Sequence, residues 1–189
     1  MLILASASPR RRALLTSAGV SFEVIPAHLD ESPLFDEAPM VYVERIASQK
    51  ASAIAQKYPF RPVLAADSVV LAPGGNHGES IFGKPTDRQD AARMLALLSG
   101  KTHRVVTYVA LAHAGKTQGF SVSSRVCFRE LSEADIAFYI GTGEPMDKAG
   151  AYGIQGEGVG IVRWVEGSYT NVVGLPLVET LDLLRGVLS

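Results

Sequence analysis

The chain has 189 residues, nearly balanced charge at -1, a hydrophobic fraction of 47% and one cysteine. That length buries a core without disulfide or metal staples, and the charge balance argues against a general nucleic-acid binder, which carries a strongly basic face. Any basic site is local.

The first stretch reads as strand, hydroxyl-lined turn and helix start: the apolar run Leu2 to Ala5, then Ser6, Ser8, Pro9 and three arginines, Arg10 to Arg12. Ser8 suits the N-cap and Pro9 the first helical position, so free backbone N–H groups, the positive end of the helix dipole and guanidinium groups gather in one place. Such a place seats an anion, with phosphate the best match; the bland alternative is a capped surface helix with solvated arginines. The apolar start is too short for a signal-peptide core and its arginines follow instead of preceding it, so no export signal is read. No apolar stretch approaches the roughly 18 residues of a membrane span. Cys127 lies in a strand-like run and reads as a buried small hydrophobe, compatible with a reducing cytosol, and a cytoplasmic location is expected.

Gly19 marks the end of the first helix, and Phe22 to Pro26 reads as the next strand. The loop from His28 to Ala38 carries Asp30, Glu31, Asp36 and Glu37, most of which are expected to be solvated. Pro39 opens a helix running to about Lys57, and its apolar stripe steps through Val43, Ala47, Lys50 and Ile54. Lys50 therefore points inward, either snorkelling to water along its stem or serving as a fixed cation in a cleft.

Pro62 to Pro73 is long and apolar enough for a central strand, with Asp67 in its middle on the face of Ala65 and Val69. A carboxylate leaving water there needs partners: either Ser68 and neighbouring N–H groups satisfy it, or it binds a cation and does chemistry. Pro73 to Gly78 is a turn. Gly78 to Lys84 matches the G-x-x-x-x-G-K of a phosphate-binding loop, but Pro85 stands where Ser or Thr must hold magnesium, and no apolar strand directly precedes Gly78; the match is rejected. Lys84 remains a cation in a stiff Gly-Lys-Pro turn.

Thr86 to Gln89 reads as a capping box before a helix ending at Gly100. Arg104 to His113 and Thr117 to Arg129 form a hairpin pattern around Ala114 to Lys116; His77, His103 and His113 lack metal-ligand spacing and read as structural or exposed. Ser132 caps a further helix. Gly141 to Gly156 reads as a glycine-rich polar loop, either disordered or functional, Val159 to Val165 as a strand, Tyr169 to Gly174 as an extended piece, and Pro176 opens the last helix. Helices alternate with strands around an inserted hairpin, which predicts an α/β fold with a mixed sheet.

Eight strings in register along nearly the whole chain carry a resemblance: Ser6-Ala-Ser-Pro-Arg-Arg11, Arg45-Ile-Ala-x-x-Lys50, Ala66-Asp-Ser68, Gly83-Lys-Pro85, Ser99-Gly-x-x-His103, Glu144-Pro-x-Asp-Lys-Ala-Gly-Ala-Tyr152, Ile154-Gln-Gly156 and Asn171-Val-Val-Gly-Leu-Pro176. Together they resemble the Maf family of nucleoside triphosphate pyrophosphatases. The resemblance implies one domain over residues 1–189: an elongated mixed sheet flanked by helices, with two lobes around a cleft, related to the inosine triphosphate pyrophosphatase-like fold. It implies hydrolysis of a nucleoside triphosphate to the monophosphate and pyrophosphate with a divalent cation, Mg²⁺ or Mn²⁺. By position, Asp67 becomes the acceptor of a water proton, Glu31 and Asp67 the metal ligands, and Lys50 and Lys84 the catalytic cations. Ser6, Ser8, Arg10, Arg11, Ser68 and Gln155 fall to the substrate, and a homodimer is a family-level expectation.

The branch of that family preferring dTTP and UTP shows Arg after Ser-Pro, Thr after Ala-Asp and Gln in Ile-Gln-Gly, whereas the branch preferring 7-methyl-GTP shows Trp, Gln and Glu. Arg10 and Gln155 match the first branch, and Ser68 is the one departure, keeping the hydroxyl without the methyl. A carboxamide at Gln155 both donates and accepts, as the O4/N3 edge of thymine or uracil requires. The competing reading is a nucleotide-binding regulator of cell division acting through a protein partner without relevant turnover.

Overall fold

The structure, a computed structural model, describes residues 1–74 and 78–188. His77 and the middle of the turn expected from Pro73 to Gly78 lie outside the described residues. The described strands form a seven-stranded mixed sheet in the order Phe22–Val24 (β2), Leu2–Leu4 (β1), Val63–Pro73 (β3), Thr102–His113 (β5), Lys116–Phe128 (β6), Val162–Glu166 (β7), with Glu79–Phe82 (β4) paired to β3, and helices flank it. The chain divides into two compact units, Met1–Asp67 with Thr107–Val122 and Gly174–Ser189, and Ser68–Val106 with Ser123–Val173.

In the first unit β1 (Leu2–Leu4) runs parallel to both β2 (Phe22–Val24) and β3 (Val63–Pro73), Ile3 opposite Val63 and Leu4 opposite Leu64. Both faces of β1 are covered, which is why it is uniformly apolar instead of alternating. Leu2, Leu4, Leu64 and Ala66 pack with Leu15 of α1 (Pro9–Ser17) and Leu184 of α6 (Leu177–Leu188). Ile3, Ala5, Val63 and Ala65 pack with Ala47, Ala51 and Ile54 of α2 (Pro39–Ala55). Period-two alternation carries Asp67 onto this second face, the α2 side. The expected stripe of α2, Lys50 included, is buried throughout.

The start and end of α1 follow the sequence: the Ser8 side chain accepts from the Arg11 backbone N–H, Pro9 occupies the first turn, and Gly19 takes φ 71° just past the end. The hairpin of β5 (Thr102–His113) and β6 (Lys116–Phe128) turns through Ala114 at φ 48° and Gly115 at φ 76°, the positive pair that a two-residue primed turn requires.

The second unit gathers its core around Phe128, Leu95, Leu98, Val126 and Tyr152, drawing on β4 (Glu79–Phe82), α3 (Arg88–Leu98) and α4 (Glu133–Gly141). Helix α3 starts one residue later than expected. Asp87, not Thr86, is the cap and accepts from the Asp90 N–H, while the Asp90 carboxylate accepts from the Thr86 N–H at 3.1 Å. Ser132 caps α4 in a reciprocal box with Asp135, whose carboxylate also receives two guanidinium bonds from Arg129 and is held well below the usual carboxylate range by them. Strand β7 (Val162–Glu166) pairs antiparallel with β6. Cys127, on β6, is half-buried instead of buried.

Tyr169 to Gly174 is not extended. Tyr169–Val173 is a helical turn, α5, because Ser168 caps it by accepting from the Asn171 N–H, and the Asn171 side chain donates inward to the Val105 carbonyl and the Ser124 hydroxyl. The β-branched pair Val172-Val173 favours a strand locally, and the cap and the buried amide override it.

His103 sits edge-on to Phe128 and Tyr152, with Nε2 2.7 Å from the Tyr152 hydroxyl. Burial draws its pKa from 6.5 down to about 4, so the folded protein holds it neutral where the unfolded chain binds a proton. The stability this confers is complete above pH 6.5 and is lost as pH falls through 4, up to about 3 kcal/mol. Denaturant unfolding of wild type is expected to weaken across that window, and His103→Gln to flatten the dependence there. An unchanged pH slope in the variant counts against this origin.

Candidate functional site

The first unit brings together seven of the residues expected from the sequence. Helix α2 carries Lys50 inward to the middle of β3, where Asp67 sits, and the two are buried together at 8% and 7% exposure. The Lys50 ammonium donates to Asp67 Oδ1 at 2.8 Å and lies 2.9 Å from Glu31 Oε1. Two carboxylates thus converge on one cation. Burial pushes the Asp67 carboxyl above its usual range, Glu31 adds to the rise, and Lys50 and Arg11 oppose it.

The turn after β1 supplies the other side of the cluster. Arg11 donates through Nε to the Gly174 carbonyl at 2.8 Å and through Nη1 to Ser6 Oγ at 3.3 Å, and the same hydroxyl accepts from the Ser8 N–H. Burial draws the Arg11 pKa down, Asp67 draws it up, and neighbouring Arg10 opposes a second positive charge. Ser6, Ser8, Arg10 and Arg11 therefore stand at the N-terminus of α1 beside the buried acid, a place where backbone donors, dipole and guanidinium groups all favour phosphate oxygens.

Glu31 reaches Lys50 because α2 holds its loop. The Tyr42 hydroxyl donates to the Glu31 carbonyl at 2.9 Å, Arg45 donates to the Ser32 carbonyl at 3.2 Å, and Arg45 grips both oxygens of Glu37 at 2.6 Å. Of the loop's carboxylates, then, Glu37 is clamped, with its side chain only 4% exposed, instead of solvated. Burial and the nearby charges of Asp67 and Glu31 push the Tyr42 hydroxyl up to about 12, so it stays a donor. Sequence reasoning singled out neither Tyr42 nor the role of Arg45. Their one signal is that they share a helix with Lys50 and stand i, i+3 from each other.

Ser68, Lys84 and Gln155 belong to the second unit. Ser68 is half-buried on β3 and faces the side opposite Asp67. Lys84 is exposed just beyond β4, where the Gly83 carbonyl accepts from the Gly150 N–H at 3.0 Å. The rejected phosphate-loop match falls on β4, an antiparallel strand. Gln155 is exposed in a segment that is not an open loop: Glu144–Asp147, Ala149–Ala151 and Gly156–Gly160 form three short 3₁₀ turns.

Among the described residues no three His, Cys, Asp or Glu side chains cluster as metal ligands. The pair Glu31 and Asp67 nevertheless offers hard oxygens around a point already shared by a cation, a donor set that fits Mg²⁺ or Mn²⁺ when other oxygens complete the shell. No helix among the described residues is long and apolar enough to cross a membrane.

A model of the family described as Maf-like protein matches residues 1–187. The dTTP/UTP pyrophosphatase of Dechloromonas aromatica (strain RCB) is 47% identical over 197 residues, covering 97% of this chain and 96% of that protein. The dTTP/UTP pyrophosphatase of Myxococcus xanthus (strain DK1622) is 49% identical over 185 residues, covering 98% and 91%. Among solved structures, the Staphylococcus aureus Ham1 protein matches with a TM-score of 0.50 at 14% identity, covering 99% of this chain and 97% of that one, a likeness of fold alone.

Proposed function

Since the chain belongs to the family of Maf-like proteins, we propose that it hydrolyses dTTP and UTP to the nucleoside monophosphates and pyrophosphate, clearing them from the cytoplasmic nucleotide pool. The observation that carries this reading is the buried Asp67 held with Glu31 around one ammonium group, next to the phosphate-receptive start of α1. Relatives alike over nearly their whole length and named dTTP/UTP pyrophosphatase support the substrate.

Asp67 takes the proton of the water that attacks the α-phosphorus. Glu31 and Asp67 would hold a divalent cation, which supplies charge neutralisation at the phosphates when bound. Lys50, Arg11 and Lys84 balance negative charge as the bond between the α- and β-phosphates breaks and pyrophosphate leaves with the electron pair. Ser6, Ser8 and the N–H groups of α1 receive phosphate oxygens, and Arg10 adds a further cation. Gln155 reads the pyrimidine edge with its carboxamide, and Ser68 contributes a hydroxyl to the same task.

Pyrophosphate release from dTTP, UTP, CTP and 7-methyl-GTP, with and without Mg²⁺ or Mn²⁺, tests the proposal. Metal-dependent release concentrated on dTTP and UTP is expected. Release concentrated on another base overturns the reading of Arg10, Ser68 and Gln155; nucleotide binding without release from any of them favours the regulator.

A further inference from the structure

Gln155 is exposed, yet the backbone on both sides of it is fixed by one side chain, Glu144, to which the proposed reaction gives no role. Glu144 Oε2 accepts from the Glu157 N–H at 2.9 Å, and Oε1 accepts from the Gly158 N–H at 3.3 Å and from the Tyr139 hydroxyl at 2.8 Å. The Tyr139 hydroxyl in turn accepts from the Gly153 N–H at 3.0 Å. One carboxylate, with a tyrosine that is 2% exposed, therefore ties residues 153, 157 and 158 together.

The glycines of this segment are where the tie requires them. A Cβ on Gly156, at φ +66°, would stand 2.5 Å from Glu144 Oε2, and one on Gly158 would meet the Gly153 carbonyl at 1.9 Å. The loop is thus closed on itself around the carboxylate, with Ile154 buried at 8% and Gln155 turned outward between them. Lys148 secures the carboxylate's own turn by donating to the Glu144 carbonyl at 2.6 Å.

We propose that Glu144 is a positioning residue for base selection: by accepting from Tyr139 and from the backbone of residues 157 and 158, it holds the Gln155 carboxamide in the orientation that distinguishes a pyrimidine O4/N3 edge. The inference rests on the proposed reading of Gln155 as the base-contacting residue. Charge-assisted bonds to backbone N–H groups are strong enough for this work, and a side chain otherwise free to rotate reads a base only if its backbone is fixed.

The test compares Glu144→Ala, Glu144→Asp and Gln155→Ala with wild type for KM and kcat on dTTP and CTP, and measures amide exchange across residues 153–160. For Glu144→Ala the KM for dTTP is expected to rise about tenfold, with preference over CTP reduced as in Gln155→Ala, kcat within about threefold and exchange at 157 and 158 accelerated. Glu144→Asp, which keeps the charge on a shorter stem, is expected to fall between wild type and Glu144→Ala, and it carries the test if Glu144→Ala does not fold. If Gln155→Ala loses base preference while the Glu144 variants keep it, the positioning role fails alone. If Gln155→Ala keeps wild-type preference, the reading of Gln155 fails and the inference falls with it.

Discussion

Asp67→Asn is expected to lower metal-dependent pyrophosphate release from dTTP by about 10³-fold, the size of effect typical for loss of a positioned general base. The substitution keeps shape and volume and removes the negative charge and basicity with which the carboxylate accepts the water proton. Lys50 retains its contact with Glu31, so the ammonium is not stranded and the thermal midpoint should move little. Wild-type turnover requires the ionised carboxyl. The rate profile should therefore carry an acidic limb, falling as pH drops, and the residual activity of the variant should lack that limb. Turnover within tenfold of wild type would remove Asp67 from this role.

What the sequence disclosed and what it withheld divides by distance along the chain. The cap at Ser8, the stop at Gly19, the inward Lys50 and the buried Asp67 follow from caps and periods of a few residues, and the structure has them. The joining of Lys50 to Glu31 does not follow, because a loop carboxylate finds its partner through Tyr42 and Arg45, contacts that no period encodes. The same holds for Glu144, whose partners lie up to 14 residues away in a segment that reads only as glycine-rich. At Tyr169–Val173 two local signals conflicted, a valine pair against a serine cap, and the buried Asn171 decided between them.

Lys50→Met separates the catalytic from the structural part of the cluster. Methionine keeps a stem of similar length on the buried stripe of α2 but leaves Asp67 and Glu31 without the ammonium they share, with Arg11 as the nearby cation that remains. Turnover should fall about 10²-fold, as when one charge-stabilising donor is lost. Stability should also fall, by about 3 kcal/mol at neutral pH, near the lower end for breaking a buried pair because Glu31 keeps 46% of its side chain in water. The pH dependence has a definite sign. Without the ammonium, Asp67 rises further above its unfolded value, so the folded state binds the extra proton; the penalty is present at high pH and relieved as pH falls through the raised pKa. Denaturant unfolding of Lys50→Met should therefore recover toward wild type on acidification, against the opposite trend contributed by His103. Lys50→Met combined with Asp67→Asn should regain stability at neutral pH while remaining inactive, since the buried charge is gone but so is the base. A double variant as unstable as Lys50→Met would show that the loss of stability does not come from the Asp67 charge left without its ammonium.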